Sequence, residues 1–201
     1  MGELLTIDQL QFLEWGPYSF SVEPASVLCL SGDSGSGKSL LLRAITDLIP
    51  SQGKCAIGEK GRETMKGPEW RRHVRLLPAE SAWWADQVAA HFPDDYNWEA
   101  LGDLGFENDV QTWDIGRLSS GEKQRLGLAR ALARPLAALL LDEPSANLDD
   151  RSAERVETFI LDFQKQVNCP IIWVSHDVEQ IKRVASKWYR MEDKKLSLQS
   201  L

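Results

Sequence analysis

The sequence predicts an α/β fold with a mainly parallel sheet, flanking helices, a small antiparallel β subdomain and a short helical subdomain. Short apolar runs such as "VLCL", "AALLL" and "PIIWV" are typical of buried strands, and amphipathic stretches separate them along the chain. Strands that alternate with helices indicate a parallel sheet. The length of 201 residues suits one domain, and a hydrophobic content of 43% suffices for a core.

The expected strands and helices follow one another along the whole chain. The first half is predicted to contain strands and one helix, in "ELLTIDQLQF", "YSFSVEPASVLCLS", the helix "LLLRAITDLI", "KCAIG" and "HVRLLP". The second half is predicted to contain a helix over residues 121–134, a buried strand in "AALLLDEP", a long helix over 150–168, a buried strand in "PIIWVSH" and a helix in "DVEQIKRVAS". The tail "KWYRMEDKKLSLQSL" is predicted to form a hairpin.

Residues 80–116 differ in composition from the rest of the chain. They contain many acids, helix-like stretches such as "WWADQVAAHF", and the tryptophans Trp83, Trp84, Trp98 and Trp113. We interpret them as a helical subdomain that extends into the following helix, with 1–79 and 117–201 forming the core and its N-terminal β subdomain. Exposed tryptophans here would anchor a partner, and buried ones would form the core of the subdomain; the sequence leaves both interpretations open.

Composition excludes several classes of protein. With 23 Lys and Arg against 30 Asp and Glu, the net charge is −7, which argues against a general nucleic-acid binder. The longest apolar run, in "PLAALLLDEP", is far shorter than the roughly 20 residues that span a bilayer, and the N-terminus lacks the pattern of a signal peptide. The cysteines follow no metal spacing, so we expect buried thiols in a reducing compartment: Cys29, Cys55 and Cys169.

The segment "GDSGSGKS", residues 32–39, matches the phosphate-binding pattern G-x-x-x-x-G-K-[ST]. It lies where the mechanism requires it, between an apolar strand and a helix whose N-terminal N–H groups favour an anion. Lys38 is expected to reach the β- and γ-phosphates of a nucleotide, and Ser39 to offer its hydroxyl to Mg²⁺. The expected ATP contacts of this loop are Gly32, Asp33, Ser34, Gly35, Ser36, Gly37, Lys38, Ser39 and Leu40.

Two carboxylates, Asp142 and Glu143, follow the buried strand "ALLL". A buried strand that ends in two acids needs something to pair with them, and Mg²⁺ with an attacking water does this. Asp142 is expected to hold the metal, directly or through water, and Glu143 to orient or deprotonate the water. His176 follows the next buried strand, at the sheet edge where α/β proteins bind ligands, and is expected to approach the γ-phosphate.

A second candidate anion site begins at "LSSGE", residues 118–122. Ser119 and Ser120 suit a helix N-cap, so free N–H groups and the positive end of the helix dipole would face an anion there. Taken alone, the stretch is more typical of a plain capped helix with a charged face. One chain therefore carries two candidate phosphate sites.

In order along the chain, these motifs resemble those of the ATP-binding cassette (ABC) ATPases. The segment "GDSGSGKS" is similar to their Walker A motif, "LSSGE" running into "KQRLGLARAL" to their signature, "LLLDE" to Walker B, "SANLD" to the D-loop, and His176 to the H-loop. The resemblance covers nearly the whole chain and implies a P-loop NTPase fold. The form "KQRLGLARALAR" resembles that of transporter subunits.

The resemblance implies that two such chains pack head to tail with two ATP molecules between them. Each ATP would contact Walker A of one chain and the signature of the other, which would account for the second anion site. Asp149 of the D-loop would contact the partner chain, and ATP would switch the dimer between closed and open states. The signature residues expected to act in trans are Ser119, Ser120, Gly121 and Glu122.

The chain departs from the family pattern in its Q-loop and signature. The Gln that the family has after the strand in "HVRLLP" is absent; Glu80 stands near its place, and Gln87 lies too far along. Glu80 offers an oxygen donor but adds negative charge beside phosphates. The signature has Ser120 where Gly is usual and Glu122 where Gln is frequent.

The aromatic residue that would stack on adenine is the third departure. Phe12 and Trp15 are both candidates, because the segment up to Val22 is shortened. Stacking needs only a flat face, so either would serve. The alternative is that both are core aromatics.

The resulting hypothesis is an ATP-hydrolysing subunit of an ABC transporter, with ATP and Mg²⁺ as its ligands. Its expected partners are a second ABC ATPase subunit, identical or different, and a membrane-embedded permease; no nucleic acid is expected. We expect the chain in the cytoplasm, held through the permease at the inner face of the cell membrane. The alternatives are a soluble ABC ATPase for DNA maintenance or translation, and a nucleotide-dependent regulator with little hydrolysis.

Overall fold

The computed structural model describes residues 2–107, 109–146 and 148–201. Its strands are β1 (Leu5–Phe12), β2 (Trp15–Val22), β3 (Val27–Ser31), β4 (Gln52–Ile57), β5 (Lys60–Gly61), β6 (Val74–Leu77), β7 (Ala138–Asp142), β8 (Ile171–Val174), β9 (Lys187–Glu192) and β10 (Lys195–Gln199). Its α-helices are α1 (Lys38–Ile45), α2 (Gly67–His73), α3 (Ser120–Leu132), α4 (Asp150–Val167) and α5 (Val178–Val184). Short 3-10 helices lie at Arg62–Thr64, Val88–His91, Trp98–Gly102, Val110–Thr112 and Ile115–Arg117.

The larger of the two sheets has six strands in the order β10-β9-β3-β8-β7-β6. Neighbours from β9 to β6 pair in parallel, and β10 pairs with β9 as an antiparallel hairpin. The mainly parallel sheet and the C-terminal hairpin are thereby confirmed. Because parallel strands end at the same edge of a sheet, the residues that follow β3, β6, β7 and β8 meet at one edge.

The smaller sheet is antiparallel, with the order β2-β1-β4-β5, and confirms the predicted β subdomain. Its strand β1 is irregular, because its pairing with β2 shifts between Ile7 and Leu10 and again between Leu10 and Phe12. The smaller sheet, α1 and one face of the larger sheet enclose one core cluster. The phosphate loop is thus built between the two sheets.

The central strands β3, β7 and β8 of the larger sheet are buried at every position, which explains why they are apolar up to the residue that ends β3 and β7. In β3, Leu28 and Leu30 belong to the cluster beneath the smaller sheet, whereas Val27 and Cys29 belong to the cluster beneath α3, α4 and α5. Burying one such side chain fully contributes about 1.5–3 kcal/mol. The expected buried thiols are confirmed for Cys29, Cys55 and Cys169.

Residues 80–116 do not form the α-helix expected in "WWADQVAAHF". In the part of this segment that the structure describes, the helical turns are 3-10 turns. The start of the segment packs on α3, where the Arg130 guanidinium lies 4.4 Å from the Trp83 ring centre and 4.9 Å from that of Trp84. The tryptophans divide between the two environments: Trp84 is 71% exposed, and those packed against the core are Trp83, Trp98 and Trp113. That Trp84 anchors a partner stays a prediction.

The helix α2 was not predicted from the sequence. Pro68 lies in its first turn, where proline favours a helix start. Trp70 is buried, and its Nε1 donates a hydrogen bond to the Ile45 carbonyl at 2.8 Å. At seven residues, α2 is too short for hydrophobic periodicity to reveal it.

Candidate nucleotide-binding site

The phosphate loop joins β3 to α1, as predicted. Two of its glycines are required by close neighbours and positive φ angles. A Cβ atom on Gly32 (φ 142°) would collide with the Met191 carbonyl oxygen of β9, and one on Gly37 (φ 95°) would lie 2.7 Å from the Trp15 ring. The loop is therefore held between the C-terminal hairpin and Trp15.

Lys38 lies inside the loop and is only 7% exposed. Its Nζ donates to the carbonyl oxygens of Gly32 at 2.7 Å and Asp33 at 2.9 Å, and to Ser36 Oγ at 3.3 Å. The ammonium group thus supplies positive charge at the centre of a loop that binds anions through its backbone. A bound phosphate would offer it stronger, charged acceptors.

Asp142 ends β7 and lies beside Ser39, whose hydroxyl donates a hydrogen bond to the carboxylate. The carboxylate is 5% exposed, and burial together with the neighbouring charge of Glu143 raises its pKa above the usual range, against the hydrogen bond from Ser39. A buried carboxylate of this kind is stabilised by a cation. Carboxylate and hydroxyl oxygens are ligands that Mg²⁺ accepts, so Ser39 and Asp142 fit the predicted metal site.

Glu143 has a left-handed backbone with φ 51°. This conformation costs a residue with a Cβ atom about 1–2 kcal/mol, so it persists where neighbours impose it. The Glu143 N–H donates to the Val174 carbonyl at 3.2 Å, and its own carbonyl accepts from Gln124 Nε2 at 2.8 Å and from Ala146 N at 3.1 Å.

His176 lies beside the Glu143 side chain, as the sheet topology predicts. Its Nδ1 is 3.7 Å from Glu143 Oε2, and both side chains reach solvent. They line a polar cavity of about 510 Å³ together with residues of α4, α5 and the loop after Glu143. Glu143 and His176 are therefore accessible to a ligand at the carboxyl edge of the sheet.

The expected N-cap at the start of α3 is present. Ser119 Oγ accepts from the Glu122 N–H at 3.2 Å, and Glu122 Oε2 accepts from Ser119 N at 2.8 Å and from Ser119 Oγ at 2.7 Å. Ser120 is the first residue of α3 and is exposed. This capping box fixes the helix start at an exposed position.

The D-loop residue Asp149 caps α4 and accepts from the Ser152 N–H at 3.0 Å. Asn147 of the same motif lies outside the described residues. The start of the signature helix and the D-loop share a polar cavity of about 400 Å³, which has only Leu148 in common with the cavity beside Glu143. Its lining is Ser119, Ser120, Gly121, Glu122, Arg125, Leu148, Asp149 and Ser152.

Phe12 is wrong as a candidate for stacking on adenine. It is 2% exposed because it packs in the core between the sheets, so it has no face to offer. Trp15 lies parallel to it, with an interplanar angle of 7°, and is half-buried. Lys194 Nζ of the C-terminal hairpin is 5.6 Å from the Trp15 ring centre. Trp15 remains the candidate.

Glu80 is exposed and follows β6, the neighbour of β7. It therefore lies past the same edge of the sheet as Asp142, and its role in place of the family's Gln stays a prediction.

Three polar residues of the site were missed in the sequence. Gln124 contacts the Glu143 backbone. Gln180 is buried in α5, where its Oε1 accepts from Ser175 Oγ and its Nε2 donates to Ser145 Oγ, both at 2.9 Å. Arg190 of β9 lies 3.5 Å from the Asp33 carboxylate. Of these three, only Gln180 could have been found from the sequence, because it is a polar residue at an inward position of an amphipathic helix.

Comparison with known proteins decides the family. Residues 16–146, well over half of the chain, match the model of a family described as "ABC transporter". The chain belongs to the ABC transporter family. Within the ABC family it is an ATP-binding subunit that hydrolyses ATP, as the motif order indicated.

Curated relatives and a solved structure agree with this assignment. The chain is 34% identical over 174 residues to the aliphatic sulfonates import ATP-binding protein SsuB of Granulibacter bethesdensis, covering 84% of this chain and 69% of that protein. It is 34% identical over 172 residues to the molybdenum import ATP-binding protein ModC of Vibrio parahaemolyticus, covering 79% of this chain and 46% of that protein. A bacterial Atm1-family ABC exporter with ATP bound shares the fold, with a TM-score of 0.84 at 20% identity, over 98% of this chain and 38% of that one.

None of the helices that the structure describes is long and apolar enough to cross a bilayer.

Proposed function

We propose that this ABC subunit hydrolyses ATP in a head-to-tail dimer and powers a membrane-embedded permease. The observation that carries the proposal is the separation of the two anion sites. Walker A and Walker B meet at one edge of the sheet, where Ser39 lies beside Asp142, while the start of the signature helix lines a different cavity together with Asp149 of the D-loop. A single chain therefore presents two half-sites, and a second chain supplies what each one lacks.

In this dimer the phosphate loop binds the phosphates of ATP, and the N-terminus of α3 of the partner chain binds the γ-phosphate. Ser119 would donate its hydroxyl and Gly121 its N–H, with the helix dipole aiding both. Asp149 lies in the same cavity and contacts the partner. Trp15 stacks on the adenine.

Hydrolysis follows from the groups beside the γ-phosphate. Glu143 orients a water and accepts its proton as the water oxygen attacks phosphorus; the bond to the β-phosphate oxygen breaks, and ADP and phosphate leave. Lys38 and His176 hold the γ-phosphate. When bound by Ser39 and Asp142, Mg²⁺ would neutralise part of the phosphate charge.

The permease is proposed to dock on the groove beside Trp84. This groove has a volume of about 470 Å³ and combines an exposed aromatic ring with the cationic side chains Arg75, Arg130 and Arg134. An exposed aromatic residue with arginines is typical of interface anchors. Docking there would hold the chain at the cytoplasmic face of the membrane, with residues 80–116 as the subdomain that makes the contact.

The relatives are named for import of different substrates, namely aliphatic sulfonates and molybdenum. Their names support import as the direction of transport. Because the named substrates differ, they do not define the substrate for this chain, which we expect the permease to select.

The variant Glu143→Gln tests the proposal. It should bind ATP, lose turnover about 10³-fold because the base is gone, and elute as a dimer only with millimolar Mg-ATP. Adding Ser119→Ala should keep ATP binding and remove the dimer, whereas Lys38→Ala should remove ATP binding itself. A Glu143→Gln chain that stays monomeric at millimolar ATP would contradict the head-to-tail dimer.

A further inference from the structure

The first two turns of the signature helix α3 contact the end of Walker B and the segment that follows it at three points. Gln124 Nε2 donates to the Glu143 carbonyl at 2.8 Å. Arg125 donates to Ser152 Oγ at 3.2 Å. Gly121 lies so close to Leu148 that a Cβ atom on it would be 3.1 Å from Leu148 Cδ2. The helix that would bind the ATP of the partner chain is thus attached to the segment that would hydrolyse the ATP of its own chain.

Of these contacts, the bond from Gln124 reaches the catalytic position itself. Glu143 has a left-handed backbone, which places its side chain beside His176. Its N–H is held by the Val174 carbonyl and its carbonyl by Ala146 N, and both of these partners are backbone groups. Gln124 supplies a side-chain bond to the same carbonyl, so this support can be removed by substitution.

We propose that Gln124 is a positioning residue, which holds the Glu143 backbone in the conformation that aims its carboxylate at the attacking water. The proposal rests on the function proposed above, in which Glu143 is the base. Gln124 acts through the peptide unit of Glu143, whose carbonyl its side chain contacts. Its place on α3, five residues after Ser119, also attaches the position of Glu143 to the helix that contacts the partner's ATP.

A misplaced base slows the chemical step more than it weakens binding, because misplacement of reacting groups by about 1 Å can cost about a hundredfold in rate. Gln124→Met keeps the length of the side chain and removes the donor. Gln124→Glu keeps the shape and turns a carboxylate oxygen toward the Glu143 carbonyl, so its effect should be the larger. Lys123→Met is the matched control on the same turn, since Lys123 contributes a backbone N–H to Ser119 and keeps it after the substitution.

The experiment compares kcat and KM for Mg-ATP of the full chain and these variants. We expect Gln124→Met to lower kcat about tenfold with KM within twofold of the wild type, and Lys123→Met to leave both within twofold. In the Glu143→Gln background, Gln124→Met should still give the ATP-dependent dimer, with an unchanged melting temperature. Loss of dimer and lowered melting together would indicate a merely structural role and overturn the proposal.

The proposal would also be overturned if the kcat of Gln124→Met stayed within twofold of the wild type. The same holds if Lys123→Met lowered kcat as much as Gln124→Met does. Either outcome would leave the proposed function intact, because the proposed function is tested separately, by the turnover of the wild-type chain and by the dimer of the Glu143→Gln variant. A wild-type chain without turnover would refute the proposed function, and the role of Gln124 with it.

Discussion

The Glu122 carboxylate lies close enough to the proposed γ-phosphate site of the signature to repel a bound phosphate. Its Oε2 atom is 2.7 Å from Ser119 Oγ. If the Ser119 hydroxyl turns its single hydrogen from Glu122 to a phosphoryl oxygen, that oxygen would lie within about 5.5 Å of this carboxylate oxygen. Two unit charges at that distance repel by about 0.8 kcal/mol in water and about 3 kcal/mol at an effective dielectric constant of ~20. Because Glu122 is half-buried and is offset by Arg117 and Arg125, we take about 1 kcal/mol per site.

We therefore predict that Glu122→Gln tightens the ATP-dependent dimer. Gln keeps the capping box and removes the charge. With two sites per dimer the gain is about 2 kcal/mol, or roughly thirtyfold in the dimer Kd. The dimer Kd can be measured by sedimentation velocity at saturating Mg-ATP, in the Glu143→Gln background with and without Glu122→Gln. Added salt should shrink the difference between the two Kd values. A dimer that is unchanged or weaker would refute the reasoning that Glu122 repels the phosphate.

Two further predictions follow from aromatic packing and from the thiols. Trp15→Ala should weaken ATP binding by up to about tenfold, as the loss of one stacking contact does, which calorimetric titration measures. Phe12→Ala should instead lower the free energy of unfolding by about 3–5 kcal/mol, which thermal melting measures. Burial raises the thiol pKa to about 12 for Cys29 and Cys169 and to about 11 for Cys55. A thiolate-selective reagent at pH 8 should therefore modify them only after unfolding, and stability should fall as pH rises above about 8.5, because the unfolded chain then loses these protons first. Rapid labelling of the native chain would contradict this.

The phosphate loop and the N-cap of α3 could be predicted because each depends on residues close together in sequence. Glycine spacing, the apolar strand before the loop and a Ser–Glu pair three residues apart are local signals, and the sheet edge follows from the order of strands and helices. Asp142 and Ser39 are brought together for that reason.

The parts that could not be predicted depend on contacts between distant residues. Trp83 and Trp84 at the start of residues 80–116 pack against Arg130 of another element, a contact that no local pattern shows. The choice between Phe12 and Trp15 depends on the irregular pairing of β1, which breaks the alternation that would show which aromatic faces inward. Gln124 contacts a residue nineteen positions along the chain, and no local pattern marks such a pair.

The strand order also has a consequence for the biogenesis of the protein. The phosphate loop follows β3 near the start of the chain, yet both neighbours of β3 in the sheet, β8 and β9, lie near the end of the sequence. Gly32 itself rests against Met191. A growing chain on the ribosome therefore carries the complete Walker A sequence long before the strand that supports it has partners, and such non-local pairing forms slowly. We expect nucleotide capture to begin only after β8 and β9 leave the exit tunnel, so that ATP stabilises chains that contain these strands and gives no help to shorter nascent ones.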